Sequence, residues 1–172
     1  MIVPVPAAEP LVGALRAELD GHAVPAHVTV MAPFLPTAAL DAATVAELAA
    51  TVATVPAFDV EFRAVCWFDE RLVWLAPEPA GPFVELTRAV GDRFGLLPYG
   101  GEHGAEPVPH LTVAYDAPVE RLRAAAAELA RGLPVSTRIE QAVLFVETDG
   151  GWSPHTPLPL GTRSGTGVRI EG

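Results

Sequence analysis

The chain contains no lysine. All 11 of its basic residues are arginine, against 21 acidic residues, for a formal net charge of −10 over 172 residues. A long polyanion is held by several Lys/Arg–phosphate contacts, and a protein this acidic repels one at long range. Extended RNA or DNA is therefore disfavoured as a ligand, while a local arginine pocket for one phosphate stays open. Cysteine is nearly absent too: Cys66 stands alone, which excludes an intramolecular disulfide and a cysteine zinc cluster. No apolar run approaches the roughly 18 residues that span a bilayer. The opening "MIVPVPAAEP" lacks a basic segment and is broken by prolines, so it does not read as a secretory signal. Low-complexity tracts and linkers are also missing. The expectation is a soluble cytoplasmic monomer, a single bilobal domain over 1–172, with no membrane partner. Half of the residues are hydrophobic, enough to bury a substantial core.

What is present alternates between two periodicities. Residues 1–5 read as a short edge strand. In 8–21, Leu11, Val12, Leu15 and Leu19 recur at helical spacing, with Gly21 as a stop. The strand "HVTVM" follows, then a helix over 38–54 with Thr37 as its cap. In 58–68, Phe58, Val60, Phe62, Ala64 and Cys66 alternate with polar residues, and "DER" turns that strand into "LVWLAPE" as a hairpin. A helix over 82–94, a Gly/Pro-rich loop over 95–108, the strand "HLTVAY", a helix over 118–131 and strands over 138–147 and 152–160 complete the chain. The order β-α-β-α-β-β-α-β-α-β-β predicts an α+β fold with much antiparallel pairing.

One pattern recurs. "PAHVTVMAPF" (25–34) and "PHLTVAY" (109–115) each carry histidine, an apolar residue, threonine and valine, and each follows a helix and a loop. Chance supplies two such tetrapeptides in roughly one chain of this composition in three hundred. His27 and His110 stand 83 positions apart, about half the chain, as a duplicated unit with pseudo-twofold symmetry would place them. Side chains i and i+2 share one face of a strand. His27 and Thr29 then point one way and Val28 and Val30 the other; His110 and Thr112 oppose Leu111 and Val113 in the same manner. If the two strands are related by a pseudo-twofold, two imidazoles and two hydroxyls surround one small volume. Imidazole titrates near pH 6.5, so one ring can take a proton from water while the other gives one to a leaving alkoxide. The hydroxyls can bond the non-bridging oxygens of a phosphodiester, whose charge grows in the transition state. Neither metal nor cofactor is required, and two histidines without a carboxylate at ligand spacing make a poor metal site.

The pair HVTV (27–30) and HLTV (110–113) resembles the two-histidine (2H) phosphoesterase superfamily, which includes 2′-5′ RNA ligases and cyclic nucleotide phosphodiesterases. "HVTVMAPF" is similar to its first motif, "PHLTVA" to its second, and "GW…PLPLG" (151–161) to its closing strand, so the likeness covers nearly the whole chain. The resemblance implies two antiparallel sheets flanked by helices, with a central cleft lined by one motif from each lobe. It implies that His27 and His110 are acid and base, in unassigned order, and that Thr29 and Thr112 bind phosphate. The substrate class it implies is a cyclic phosphate ester, or RNA ends joined through 2′-5′ links. The absence of lysine favours a small, 2′,3′-cyclic phosphodiester such as a nucleotide. The alternatives are an RNA 2′-5′ ligase or RNA-end-processing enzyme, and a non-catalytic nucleotide-binding module of the same fold.

Other residues read as structural. His22, His103 and His155 lack the motif and suit loops or the surface. Trp67 falls on the polar face of its strand, exposed or between lobes. Phe34 and Tyr115 suit the core, and Arg63, Arg71 and Arg138 suit solvated strand faces.

Overall fold

The computed structural model describes residues 1–19, 24–102, 104 and 108–162. Its strands are β1 (Ile2–Pro4), β2 (His27–Thr29), β3 (Phe58–Phe68), β4 (Leu72–Glu78), β5 (Leu111–Tyr115), β6 (Val135–Ile139), β7 (Gln141–Thr148) and β8 (Gly151–Pro159). The helices are α1 (Glu9–Leu19), α2 (Ala42–Val52), α3 (Gly81–Phe94) and α4 (Val119–Gly132). The strands form two four-stranded antiparallel sheets, in the orders β2-β1-β7-β8 and β5-β4-β3-β6. The expected α+β architecture is present, and each motif strand, β2 and β5, forms one edge of its sheet.

Three elements differ from expectation for local reasons. The helix after β2 is capped by Asp41, whose Oδ1 accepts from the Thr44 amide at 2.7 Å, so α2 starts later than a Thr37 cap predicts. The stretch expected as one strand over 138–147 is two, β6 pairing with β3 and β7 with β8. No glycine or proline marks that change of sheet at Glu140, so periodicity alone runs through it. His110 itself precedes β5 rather than opening it. Elsewhere the punctuation reads well: Gly95 adopts φ +66 and ends α3 in a left-handed cap that a Cβ would strain.

The faces of the sheets divide the labour. Val28 faces Val3 in the β1–β2 ladder, and both are fully buried with Val30, Leu144 and Leu158. Val73, Leu75, Leu111 and Val113 join the same core from the second sheet, together with Phe62 and Phe83. α1 packs on β5, and Thr87 on α3 donates to the Val30 carbonyl at 3.0 Å, just past β2. α1, which follows a strand of the first sheet, thus braces the motif strand of the second, and α3, which follows a strand of the second, steadies the chain just past the motif strand of the first.

Candidate active site

Because Val28 and Leu111 are committed to the core, their neighbours face the other way. His27, Thr29, His110 and Thr112 all line one cleft of about 1060 Å³, each half-buried, where β2 and β5 meet. The two imidazoles are held in the same manner. His27 Nδ1 lies 2.7 Å from the Pro25 carbonyl, and His110 Nδ1 lies 2.7 Å from the Val108 carbonyl, in each case two residues upstream. A carbonyl only accepts, so Nδ1 carries the proton in both neutral rings and Nε2 is the nitrogen with the lone pair. The histidine–apolar–threonine spacing sets one further identity: Thr112 faces Trp74 across the β4–β5 ladder, and Thr29 faces Ile2 across β1–β2.

The surroundings of the two rings differ. His110 packs at steep angles against Phe68 and Trp74, at centroid distances of 5.2 and 5.8 Å. His27 is pushed down to about 4, first by burial, which penalises the charged ring; its carbonyl bond opposes this, and the nearby charges of Arg16, the Met1 amine and His110 add to it. Arg16 is only 4 % exposed, lines the cleft and donates from Nη1 to the Val24 carbonyl at 2.9 Å. Its sequence signal was an arginine at i+4 from Val12, inside the apolar stripe of α1. Tyr99 was hidden in the Gly/Pro-rich loop, where no periodicity applies; its side chain bonds that of Thr29.

The burial of His27 predicts a pH effect on stability. With a folded value near 4 and an unfolded value of about 6.5, the unfolded chain binds a proton in that window that the folded chain refuses. Stability is therefore full above pH 6.5 and falls as the pH is lowered towards 4. In urea unfolding at pH 7.0 and 5.5, His27→Gln should lose less stability on acidification than the parent protein; equal losses would rule out a buried, neutral His27.

Two bulges overturn face assignments made from strict alternation. The β3–β4 register shifts between Phe62 and Ala64, so beyond it Val65 and Trp67 pair with the buried Leu75 and Val73. Trp67 is consequently packed on the core rather than exposed, and Phe68 takes the cleft side. The β4–β5 register shifts between Val73 and Trp74, which buries Val113 and Ala114 in succession. Tyr115, expected in the core, is instead 46 % exposed at the cleft with the Arg71 guanidinium 5.7 Å from its ring centroid. Arg71 also makes a two-pronged pair with Asp116, at 2.7 and 2.9 Å. Arg63 and Arg138 lie outside the cleft, paired with Glu61 and Asp59. Phe34 packs edge-on to Phe94 at 5.2 Å and lines the cleft besides. His155 is exposed on β8, as expected; His22 and His103 lie outside the described residues. Among the described residues no group of three or more His, Cys, Asp or Glu side chains could hold a metal ion, and no helix is long and apolar enough to cross a membrane.

Two antiparallel sheets meeting at a cleft with a His-x-Thr segment on either side define an α+β protein of the two-histidine phosphoesterase kind. A family model for the 2′-5′ RNA ligase superfamily matches residues 3–151, and the chain belongs to that superfamily. The fold is shared with E. coli LigT, in crystal structures with 3′-AMP (18% identity, TM-score 0.55, covering 94% of this chain and 96% of that one) and with NADP+ (17%, 0.55, 94% and 95%). It is shared also with a protein described as a phosphoesterase (18% identity, TM-score 0.55, 94% and 96%). No curated protein matches the chain.

Proposed function

We propose that the protein hydrolyses a small cyclic phosphodiester, a 2′,3′-cyclic nucleotide in particular, by metal-independent acid–base catalysis from His27 and His110. The observation that carries this reading is the matched pair of imidazoles in one cleft, each fixed through Nδ1 to the carbonyl two residues upstream. His27, neutral at pH 7, takes a proton from water through Nε2. The hydroxide so formed attacks phosphorus, one ring P–O bond breaks, and His110 delivers a proton to the departing ester oxygen. Thr29 and Thr112 bond the non-bridging oxygens as their charge grows.

The rest of the cleft supports a nucleotide. Phe34, Phe68, Phe145, Trp152 and both tyrosines of the chain line it, giving aromatic faces on which a base can stack. Among the described residues its charged lining is balanced, with Arg16 and Arg71 against Asp69 and Glu147, which suits one mononucleotide better than the backbone of a long RNA. Nucleotide ligands in LigT, whose fold this chain shares, agree with that choice. The test is incubation with a panel of 2′,3′-cyclic nucleotides in the presence of a chelator, followed by phosphorus NMR. Monophosphate should form at an unchanged rate when the chelator is added. No product from any member of the panel, or chelator-sensitive product, would overturn the reading. Turnover confined to RNA ends would transfer the activity to the ligase or end-processing alternative.

A further inference from the structure

The two imidazoles are bonded to peptide units of different kinds. His110 Nδ1 meets the Val108 carbonyl, whose peptide nitrogen belongs to Pro109 and carries no hydrogen. His27 Nδ1 meets the Pro25 carbonyl, whose peptide nitrogen belongs to Ala26 and does carry one. That N–H donates to Oε1 of Glu9, in the first turn of α1. One rigid peptide plane thus has His27 at its oxygen and a carboxylate at its nitrogen. The same helix grips the preceding peptide: Arg16, seven residues on and so on the same face, donates to the Val24 carbonyl at 2.9 Å. The Val5 amide holds the following one, donating to the Ala26 carbonyl at 2.7 Å. Gly13, between Glu9 and Arg16 on α1, leaves room for the carboxylate, since a Cβ there would stand 2.9 Å from Glu9 Oε2. Glu9 itself does not line the cleft.

We propose that Glu9 is a positioning residue for His27, acting through the Pro25–Ala26 peptide to hold the ring with its proton on Nδ1 and its lone pair on Nε2. The inference rests on the reading of His27 as the base and deepens it, because it gives the base a support that the Val108–Pro109 peptide denies the acid. A peptide unit turns as one plane, so fixing its N–H fixes the direction of its C=O. A bond to a carboxylate is stronger than one to a neutral acceptor, and it polarises the amide so that the carbonyl oxygen accepts more strongly in turn. The other tautomer would set the Nδ1 lone pair against the carbonyl oxygen and leave Nε2 with none to accept a proton from water. In a catalytic triad a carboxylate bonded directly to histidine selects the tautomer in this way. Here a peptide unit stands between the two.

The experiment compares the parent protein with Glu9→Ala and Glu9→Gln, the second keeping an oxygen that accepts from the Ala26 amide while losing the charge. Ring tautomers are read at pH 7 by nitrogen-15 NMR of histidine-labelled protein, with signals assigned through His27→Gln and His110→Gln, and turnover of a 2′,3′-cyclic nucleotide is measured alongside. His27 in the parent should hold its proton on Nδ1. Glu9→Ala should admit the Nε2–H tautomer at His27 and leave His110 unaltered. Its kcat should fall about 10- to 100-fold, as misplacement of a reacting group does, with KM nearly constant. Glu9→Gln should keep the tautomer, move the His27 Nδ1–H resonance upfield as its bond weakens, and restore part of the lost kcat. Glu9→Gln alone decides the matter if the alanine variant does not fold: an unmoved Nδ1–H resonance together with the parent kcat would overturn the proposal. So would a parent-like tautomer and kcat in a folded Glu9→Ala, or equal changes at His27 and His110, which mark a general loosening. A tautomer change confined to His27 in a protein that turns over no cyclic nucleotide would support the role of Glu9 and reject the hydrolytic reading.

Discussion

Replacing His27 or His110 with alanine is expected to lower kcat/KM for a 2′,3′-cyclic nucleotide by about 10²–10⁴-fold in each case, the contribution typical of a positioned acid or base. The two rings do different work on the same transition state, so the double variant should fall far short of the product of the two losses. Affinity for 3′-AMP should change little, since the threonine hydroxyls and the aromatic lining stay in place. The limbs of the pH profile should separate the roles. His27 is pushed down to about 4, so the parent enzyme keeps its base in working form well below pH 6, and the acidic limb of kcat/KM should lie nearer 4 than 6.5. His27→Ala should erase that limb along with most of the rate, whereas His110→Ala should leave it. Product at the parent rate from either alanine variant would remove that histidine from the chemistry. A non-catalytic nucleotide-binding module would behave differently again: both variants would bind nucleotide normally and there would be no turnover to lose.

The second large effect concerns stability. Phe83 on α3 is 1 % exposed and meets Phe58 of β3 edge-on, with centroids 5.0 Å apart at 86°. Truncating a buried phenylalanine costs about 3–5 kcal/mol through lost transfer energy and the cavity left behind. A domain of this size has roughly 5–15 kcal/mol in total. Phe83→Ala should therefore remove a large share of the free energy of urea unfolding. Activity should suffer as well, at temperatures where the variant is still folded. α3 also carries Thr87, whose bond to the Val30 carbonyl steadies the chain just beyond the His27–Thr29 segment. A loss below about 1 kcal/mol would mean that the neighbouring Leu86 and Val90 close the space.

The placement of both histidines and both threonines at one cleft could be read from the sequence because i, i+2 spacing on short strands holds over the few residues that matter. Val28 and Leu111 had to be buried, and that fixed the direction of their polar neighbours. The same rule failed over longer stretches. A single extra residue near Arg63 turned Trp67 inward and Phe68 towards the cleft, and another near Val113 brought Tyr115 out to Arg71. Register is a property of two strands, and one strand read alone does not contain it. Arg16 was visible as a charge within an apolar stripe, but only the fold shows that the stripe's edge borders the cleft. Tyr99 belongs to a loop whose path is set by the Ala32 carbonyl, 67 positions upstream, and by no local pattern.

One sheet comes from a continuous stretch of the chain, β3 to β6, whereas the other is split between the chain's two ends. β3, made early, joins the later β4, β5 and β6, while the late hairpin β7–β8 completes the sheet begun by β1 and β2. A ribosome that has released only the first eighty residues has exposed one of the two motif histidines, His27, with just part of its wall, and β1 waits for β7 until position 143 has emerged. Assembly of the site is thus deferred to the end of synthesis, and such long-range pairing folds slowly. Once formed, the two sheets are joined by two crossings of the chain, β2 to β3 and β6 to β7, so the spacing between the imidazoles does not hang on a single connecting hinge.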